Sequence, residues 1–330
     1  MTHLAEQPAL DKQTFYDTVQ NTPLIQIDGN FAGAEVFIKD DTQQAVGSFK
    51  IRGALHAALQ LDTEAQQAGL VTASAGNHGQ GVALAAQLLG CPVQVFVPEA
   101  TPEAKLSALT NYGADVVKVS GTVDSALLVA QEQAARSGAS FIHPFDNTDV
   151  IQGQATLTEE VLASQTPDAL FVPVGGGGLL AGACQAVDTT GAHTQVFGVQ
   201  LEGADAFAKS VEAGEVIELG NVNTLSDGTA VRQAGVITLQ RTLDSSAFAG
   251  IITVTEADLG EAMVLQELAT GVAAEPAGSL AFAGMKRLAR ARTSAVGETW
   301  TAVMSGRHRD PVRFKKLLRA TGYNACGKLV

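Results

Sequence analysis

A repeated alternation of short apolar runs with longer stretches of helical periodicity constrains the fold most strongly. It runs from Leu70 to His143 and resumes after Pro144, as expected for parallel strands joined by crossover helices. The predicted strands are 70–73, 93–97, 116–119, 141–142, 170–174, 196–199, 251–254 and 301–304. The predicted helices are 51–61, 80–89, 102–111, 122–137, 151–164 and 179–187. We therefore expect an α/β protein, and its 330 residues favour about two domains.

Composition excludes several classes of function. Subtracting 34 acidic from 21 basic side chains leaves a net charge of -13, which repels phosphate backbones and anionic membranes, so we expect no nucleic-acid or membrane partner. The odd count of three cysteines, Cys91, Cys184 and Cys326, argues against a disulfide-built secreted domain. The chain shows neither a signal-peptide pattern at its start nor a run of about 20 apolar residues. These features predict a cytoplasmic protein.

Lys50 is the first candidate functional residue. The segment 48–54, Ser-Phe-Lys-Ile-Arg-Gly-Ala, places its amine beside the aromatic ring of Phe49 at the start of a predicted helix. A lysine amine becomes a nucleophile for an aldehyde cofactor when burial or a nearby cation favours its neutral form. The alternative is an ordinary solvated lysine at a helix start.

A second pattern, at 74–81, reads Ser-Ala-Gly-Asn-His-Gly-Gln-Gly and falls between a predicted strand and a predicted helix. Backbone donors and the helix dipole favour an anion such as a carboxylate at this place. Asn77 can donate a hydrogen bond to a phenolate oxygen. The alternative is that Ser74 or Asn77 only caps the helix.

Four consecutive glycines, Gly175, Gly176, Gly177 and Gly178, follow a predicted strand and precede a predicted helix. Their amides favour a phosphate site at the helix start. The same residues meet the relaxed dinucleotide fingerprint Gly-x-Gly-x-x-Ala, with Glu202 as a ribose ligand. A nicotinamide-dependent oxidoreductase is therefore an alternative, but it leaves Lys50 and the 74–81 segment without a role.

Together these segments resemble the threonine dehydratases (threonine ammonia-lyases) and the related serine dehydratases and serine racemases. The resemblance runs from Asn21 to about Ser305, and it implies pyridoxal 5'-phosphate as cofactor and the tryptophan-synthase-like fold, fold type II. It implies two open twisted-sheet domains with the cofactor between them: a large one of 1–59 plus 147–330 and a small one of 60–146. It also implies a homodimer or homotetramer.

The resemblance assigns a role to each matching residue. Lys50 would bind the cofactor covalently and take the substrate's α-proton, so that loss of the β-hydroxyl gives 2-oxobutyrate from L-threonine or pyruvate from L-serine. The other cofactor-binding residues would be Phe49, Asn77, Gly175, Gly176, Gly177, Gly178, Gly228, Glu275 and Ser305. The loop around the substrate carboxylate would be Ser74, Ala75, Gly76, Asn77 and His78.

Four departures from the family pattern refine the expected reaction, ligands and domain content. Ala75 stands where racemases carry a second serine, so we expect elimination rather than racemisation. Ala208 stands where some relatives carry an acidic cation ligand, so we expect no metal site. Arg307, in Ser305-Gly306-Arg307-His308, replaces a common glycine or asparagine; it either changes substrate choice or points to solvent. We expect no isoleucine-sensing regulatory domain, because few residues follow Ser305.

Three enzymatic alternatives stay open at this stage. One is dehydration of 3-hydroxyaspartate, and another is dehydration of an amino acid derived from hydroxyectoine. The third is β-replacement, for which the related cysteine synthases favour a different asparagine-loop pattern.

Overall fold

The structure, a computed structural model, describes residues 9–29 and 31–321. The strands are β1 (Leu24–Ile27), β2 (Glu35–Asp40), β3 (Leu70–Ala73), β4 (Val93–Pro98), β5 (Asp115–Val119), β6 (Ser140–Phe141), β7 (Ala169–Pro173), β8 (Gln195–Leu201), β9 (Phe248–Val254) and β10 (Thr299–Met304). The helices are α1 (Ala9–Thr18), α2 (Lys50–Leu59), α3 (Thr63–Ala68), α4 (Asn77–Leu89), α5 (Glu103–Thr110), α6 (Val123–Ser137), α7 (Thr148–Ser164), α8 (Gly178–Thr190), α9 (Ala206–Ala213), α10 (Val236–Leu243), α11 (Glu256–Thr270), α12 (Pro276–Ala291) and α13 (Pro311–Thr321).

The chain divides into two compact units. The first contains the described residues up to Asn21 together with Gln43–Gly153, and the second contains Thr22–Thr42 together with the described residues from Gln154 onward. The predicted boundaries, 1–59 plus 147–330 and 60–146, differ because the first unit also contains the described residues up to Asn21 and helix α2. Its Ala54 and Leu55 are buried in one apolar cluster with residues of α4, so the helix stays with that unit.

The first unit is built on a four-stranded parallel sheet in the order β5-β4-β3-β6. Because successive side chains of a strand point to opposite faces, Leu70 of β3 and Val95 of β4 join the cluster with α2 and α4. Val71 and Phe96 point to the other face and pack against the buried alanines of α6. Both faces of the sheet are therefore covered, as is usual for parallel sheets.

The second unit contains a six-stranded sheet in the order β1-β2-β10-β7-β8-β9. Only β1 runs antiparallel to its neighbour; the other pairs are parallel. Its core includes Trp300 of β10, Phe171 of β7 and Leu280 of α12, each fully buried. The carboxyl ends of β7 and β10 lead into the glycine run and into Ser305, so these two segments leave the same edge of the sheet.

The predicted α/β fold class is confirmed. All eight predicted strands and six predicted helices are present with ends displaced by a few residues, and β3 matches its prediction residue for residue. Strands β1 and β2 were not predicted, nor were helices α1, α3 and α9–α13. No helix within residues 9–29 and 31–321 is long and apolar enough to cross a membrane.

Candidate active site

Lys50 is the first residue of α2, and its side chain is half-buried. Its Nζ lies 5.2 Å from the centre of the Phe49 ring and donates a hydrogen bond of 2.8 Å to the carbonyl oxygen of Pro144. Phe49 occupies the N-cap position without a side-chain hydrogen bond to the helix. The first unit therefore holds the lysine amine between an aromatic ring and a backbone carbonyl.

Gly81 explains why α4 can lie so close to Lys50. A Cβ built on Gly81 would lie 3.2 Å from the carbonyl oxygen of Lys50 and 3.3 Å from Cβ of Ala54. A larger side chain would push the two helices apart, since backbone atoms cannot give way cheaply. Gly81 of the 74–81 segment therefore has a role in helix packing.

The loop Ser74, Ala75 and Gly76 connects β3 to α4, and it is partly exposed together with Asn77. The helix begins with Gly76 as N-cap and has no side-chain cap; the hydroxyl of Ser74 instead accepts a 3.2 Å hydrogen bond from the Gly76 amide. The capping alternative for Ser74 and Asn77 is thereby wrong. An uncapped helix N-terminus after a buried strand is suited to bind a carboxylate.

His78 is buried in the first turn of α4 and stays neutral. Burial, together with the positive charge of Lys50, lowers the pKa of His78 to about 3. Its Nε2 lies 3.1 Å from the carbonyl oxygen of Ile142, so the neutral ring carries its proton on Nε2 and donates it there. Among the described residues its buried Nδ1 has no hydrogen-bond partner. His78 therefore holds the backbone after β6 by a hydrogen bond and adds no positive charge beside Lys50.

Sequence reasoning missed the turn at 143–147, His-Pro-Phe-Asp-Asn, which supplies the carbonyl group that contacts Lys50. His143 Nδ1 accepts hydrogen bonds from the amides of Phe145 (3.3 Å) and Asp146 (2.8 Å). Burial is the main cause that lowers the pKa of His143 to about 4. The cluster of turn-forming residues between a strand and a helix was the available signal.

The glycine run lies in the second unit, where Gly177 is the N-cap of α8 and again no side chain caps the helix. Gly177 has φ +97°, and a Cβ there would collide with the Phe207 ring. Thr238, which sequence reasoning missed, donates a 2.6 Å hydrogen bond to the carbonyl oxygen of Gly176. The Gly176 carbonyl is therefore held on α10, and the amides at the start of α8 form a cradle that fits a phosphate group.

The second unit also brings Gly228, Glu275 and Ser305 together with the glycine run. A Cβ on Gly175 would lie 3.3 Å from Cα of Thr229, and one on Gly228 would lie 3.7 Å from Oε1 of Glu275. The buried hydroxyl of Ser305 donates a 3.3 Å hydrogen bond to the carbonyl oxygen of Ala277, in the first turn of α12, whose N-cap is Glu275. These residues, far apart in sequence, form one contiguous group.

The segment after Ser305 differs from the family pattern but is tied to the same group. The amide of His308 donates a 3.1 Å hydrogen bond to Oε2 of Glu275, and Nε of Arg309 donates a 2.9 Å bond to the carbonyl oxygen of Ala274. The side chain of Arg307 is exposed, which agrees with the solvent-facing alternative.

Two further residues belong to the oxidoreductase and metal-site hypotheses, Glu202 and Ala208. Glu202, the candidate ribose ligand, is exposed on a turn after β8. The amide of Ala208 donates a 2.8 Å hydrogen bond to Oε1 of Gln200. Residues 9–29 and 31–321 contain no cluster of three His, Cys, Asp or Glu side chains arranged to hold a metal ion.

Cysteine chemistry has little support in the structure. Cys91 and Cys184 are free, and burial raises the pKa of Cys184 to about 12, which makes its thiolate inaccessible at neutral pH. Cys326 lies outside the described residues.

The first unit thus carries an amine and a helix start suited to a carboxylate, and the second carries a helix start suited to a phosphate. An amine and helix starts of this kind are typical of enzymes that use a phosphorylated aldehyde cofactor. Residues 16–306 match the family described as "Pyridoxal-phosphate dependent enzyme". The chain belongs to this family, and the predicted cofactor, pyridoxal 5'-phosphate, is confirmed.

The chain is similar to three proteins whose names describe an ammonia-lyase or a deaminase. An L-threonine ammonia-lyase of Geobacter sulfurreducens is 38% identical over 84% of this chain and 68% of its own length. An L-threo-3-hydroxyaspartate ammonia-lyase of Saccharomyces cerevisiae is 32% identical over 87% of this chain and 86% of its own length. The processed form of threonine deaminase isoform 2 from Solanum lycopersicum superposes with a TM-score of 0.88 at 32% identity, covering 95% of this chain and 87% of that one.

We predict that Gly177→Ala weakens pyridoxal phosphate binding at least about tenfold, or about 1.4 kcal/mol. The new methyl group would meet Phe207 and force the cradle amides to move. Gly191→Ala is the matched control, because Gly191 also has a positive φ (+68°) but nothing within 4 Å of a new Cβ. Equilibrium titration of both apoproteins with the cofactor is the measurement; equal affinities would contradict the assignment of the cradle.

We predict that His78→Gln reduces the loss of unfolding free energy as the pH falls from 7 to 5. An unfolded histidine titrates at 6.5, whereas the pKa of folded His78 is lowered to about 3, so only the unfolded chain takes up this proton as the pH falls through this window. The group's contribution to stability is therefore lost below pH 6.5, by about 2 kcal/mol between pH 7 and pH 5. Glutamine can keep the hydrogen bond to Ile142 but does not titrate.

Urea unfolding at both pH values measures this difference. The loss of unfolding free energy between pH 7 and pH 5 should be about 2 kcal/mol smaller in His78→Gln than in the parent. His193→Gln, at an exposed position between α8 and β8, serves as the control and should leave the parent's pH dependence unchanged. An equally steep loss in His78→Gln would show that His78 does not carry this effect.

Proposed function

We propose that this chain is a threonine ammonia-lyase that converts L-threonine to 2-oxobutyrate and ammonia, with L-serine as a second substrate giving pyruvate. The observation that carries the proposal is the Lys50 amine, held 2.8 Å from the Pro144 carbonyl in the unit that also presents the uncapped start of α4. The similarity to the Geobacter sulfurreducens L-threonine ammonia-lyase supports the choice of substrate.

In this proposal Lys50 has two tasks. It binds the cofactor covalently, and its Nζ takes the α-proton of the substrate once the amine is free. Pyridoxal phosphate, when bound, withdraws electrons from the substrate Cα and makes that proton acidic. The α-proton and the β-hydroxyl are lost as water, which leaves an enamine. The enamine tautomerises to an imine, and hydrolysis of the imine by water gives ammonia and the oxo acid.

The remaining site residues bind and orient. The amides at the start of α4, with Ser74, Ala75, Gly76, Asn77 and His78 around them, bind the substrate carboxylate, and the side chain of Asn77 donates to the cofactor's phenolic oxygen. The amides of Gly175–Gly178 bind the cofactor phosphate. Phe49 and Gly228 would hold the pyridine ring, and Glu275 and the hydroxyl of Ser305 would act at its nitrogen.

Ala75 and Ser305 favour elimination over the other reactions that pyridoxal phosphate supports. Racemisation requires a second base on the opposite face of the substrate, and alanine at position 75 has no side chain that can exchange a proton. A neutral serine hydroxyl does not stabilise a protonated pyridine ring as a carboxylate would, so a long-lived carbanion is disfavoured. A β-hydroxyl that leaves promptly suits such a site.

A second candidate substrate is L-threo-3-hydroxyaspartate, because the Saccharomyces cerevisiae relative that matches 87% of this chain is named for it. Its extra carboxylate needs an additional cation. His78 and His143, which lie near Lys50, have pKa values lowered to about 3 and about 4 and are uncharged at neutral pH. This environment favours the uncharged side chain of threonine.

We also propose that the enzyme works as a homodimer or homotetramer in the cytoplasm. The support for this is the family resemblance and the free thiols of Cys91 and Cys184, which are typical of a reducing compartment.

We predict that Lys50→Ala abolishes turnover and the visible absorbance of lysine-bound pyridoxal phosphate together, since one amine supplies both. Lys118→Ala, which removes an exposed lysine of the same unit, should keep both signals. The measurements are the visible spectrum of the reconstituted protein and keto-acid release from L-threonine. A Lys50→Ala protein that keeps the absorbance band would refute the proposed cofactor lysine.

We predict that kcat/KM decreases in the order L-threonine, L-serine, L-threo-3-hydroxyaspartate. His78 and His143, uncharged at neutral pH, offer the second carboxylate of 3-hydroxyaspartate no positive charge, and the similarity to the L-threonine ammonia-lyase supports threonine as the first substrate. Keto-acid release from the three substrates measures the order, and a preference for 3-hydroxyaspartate would establish the second candidate. Arg307→Asn should not change the order, because its side chain is exposed.

A further inference from the structure

The turn after β6 is built so that one carbonyl group faces the Lys50 amine. On one side, His78 donates to the carbonyl of Ile142 at 3.1 Å. On the other side, His143 Nδ1 accepts from the amides of Phe145 and Asp146, at 3.3 and 2.8 Å. The Pro144 carbonyl lies between these two braces and accepts from Lys50 Nζ at 2.8 Å.

We propose that His143 is a positioning residue for the reacting amine: by binding the amides of the turn, it fixes the Pro144 carbonyl where it orients Lys50 Nζ. This inference rests on the proposed role of Lys50 and adds a residue to it. When the amine takes the α-proton, the C–H electron pair stays on the substrate and Nζ becomes an ammonium. The Pro144 carbonyl accepts a hydrogen bond from that ammonium and stabilises the charge as it develops.

The surroundings of His143 support its role as an acceptor. Its ring packs edge-on against Phe145, with centroids 4.7 Å apart and planes at 90°, and edge-on against Phe141 at 6.0 Å. These contacts hold the imidazole orientation. Burial and the charge of Lys50 keep the ring neutral, although Asp146 acts in the opposite direction, so Nδ1 retains the lone pair that the two amides need.

Asparagine and glutamine make a matched pair of substitutions at this position. The Oδ1 atom of asparagine sits at the same bond distance from Cβ as Nδ1 of histidine, so His143→Asn can accept from the same amides. Asn147 already makes the same kind of contact in this chain. Its Oδ1 accepts hydrogen bonds from the amides two and three residues later, those of Asp149 (2.8 Å) and Val150 (2.9 Å). His143→Gln carries its polar atoms one bond farther out and cannot replace Nδ1.

The first test uses the apoprotein, so it does not depend on cofactor chemistry. Acetic anhydride acylates lysines in their neutral form, and mass spectrometry compares Lys50 with exposed Lys118 as internal standard. In His143→Gln the acylation of Lys50 should be about fivefold faster, because a carbonyl that favours the ammonium by about 1 kcal/mol has been lost. In His143→Asn and in the control His193→Gln it should match the parent.

The second test uses the reconstituted enzyme with L-threonine. His143→Gln should lower kcat about tenfold to a hundredfold with KM changed less than about twofold, since misplacement affects the proton transfer rather than substrate binding. His143→Asn should recover most of kcat. Equal labelling and equal kcat in all variants would overturn the proposal, and so would a His143→Asn protein as impaired as His143→Gln.

Cooperative urea unfolding checks that each variant is folded. If His143→Gln does not fold, the labelling and kcat of His143→Asn decide: values unlike those of the parent overturn the proposal. A different result would refute the proposed function. An active Lys50→Ala protein would refute the catalytic role of Lys50, whereas the acylation of Lys50 in the His143 variants would still report on the turn.

Discussion

The close packing of α2 on α4 is the constraint on which the site depends. The two helices share one apolar cluster, in which Ile51, Ala54 and Val82 are fully buried. At Gly81 the backbone of one helix approaches the other so closely that a Cβ would lie 3.2 Å from the Lys50 carbonyl. This contact places the first residue of α2, with its amine, within the electrostatic influence of the first turn of α4, as the effect of Lys50 on the pKa of His78 shows.

The chain uses the start of a helix in two different ways. Helices α3, α6 and α11 are capped by the side chains of Asp62, Thr122 and Thr255, which satisfy the first amides and stabilise the helix. Helices α4 and α8 follow buried strands and have the glycines Gly76 and Gly177 as N-caps, with no side-chain cap. Because no side chain caps these two helices, their first amides and the helix dipole are available to anionic groups.

Much of the architecture could be predicted because alternation of apolar runs and helical stretches is a local signal. The strands of both sheets that form crossover units were found, and so were the three segments that carry Lys50, Asn77 and the glycine run. The strands β1 and β2 were missed, since four to six residues of mixed burial give a weak period. Thr238 was missed because its role comes from a hydrogen bond to backbone 62 residues away, at Gly176. His143 makes local hydrogen bonds, but the turn that it holds contacts Lys50, 94 residues away, and that contact cannot be read from local sequence.

The sequence by itself determined the fold class, the amine, the two glycine-rich helix starts and, through family resemblance, the cofactor. Local chemistry is enough for these, because residue types and turn geometry act over a few positions. Only the tertiary structure decided that Gly81 is a packing residue, that Ser74 does not cap α4, and that His78 and His143 brace the turn at Pro144 in neutral form. Burial, backbone approach and hydrogen bonds set the roles of these residues. None of the three can be read from the types of neighbouring residues alone.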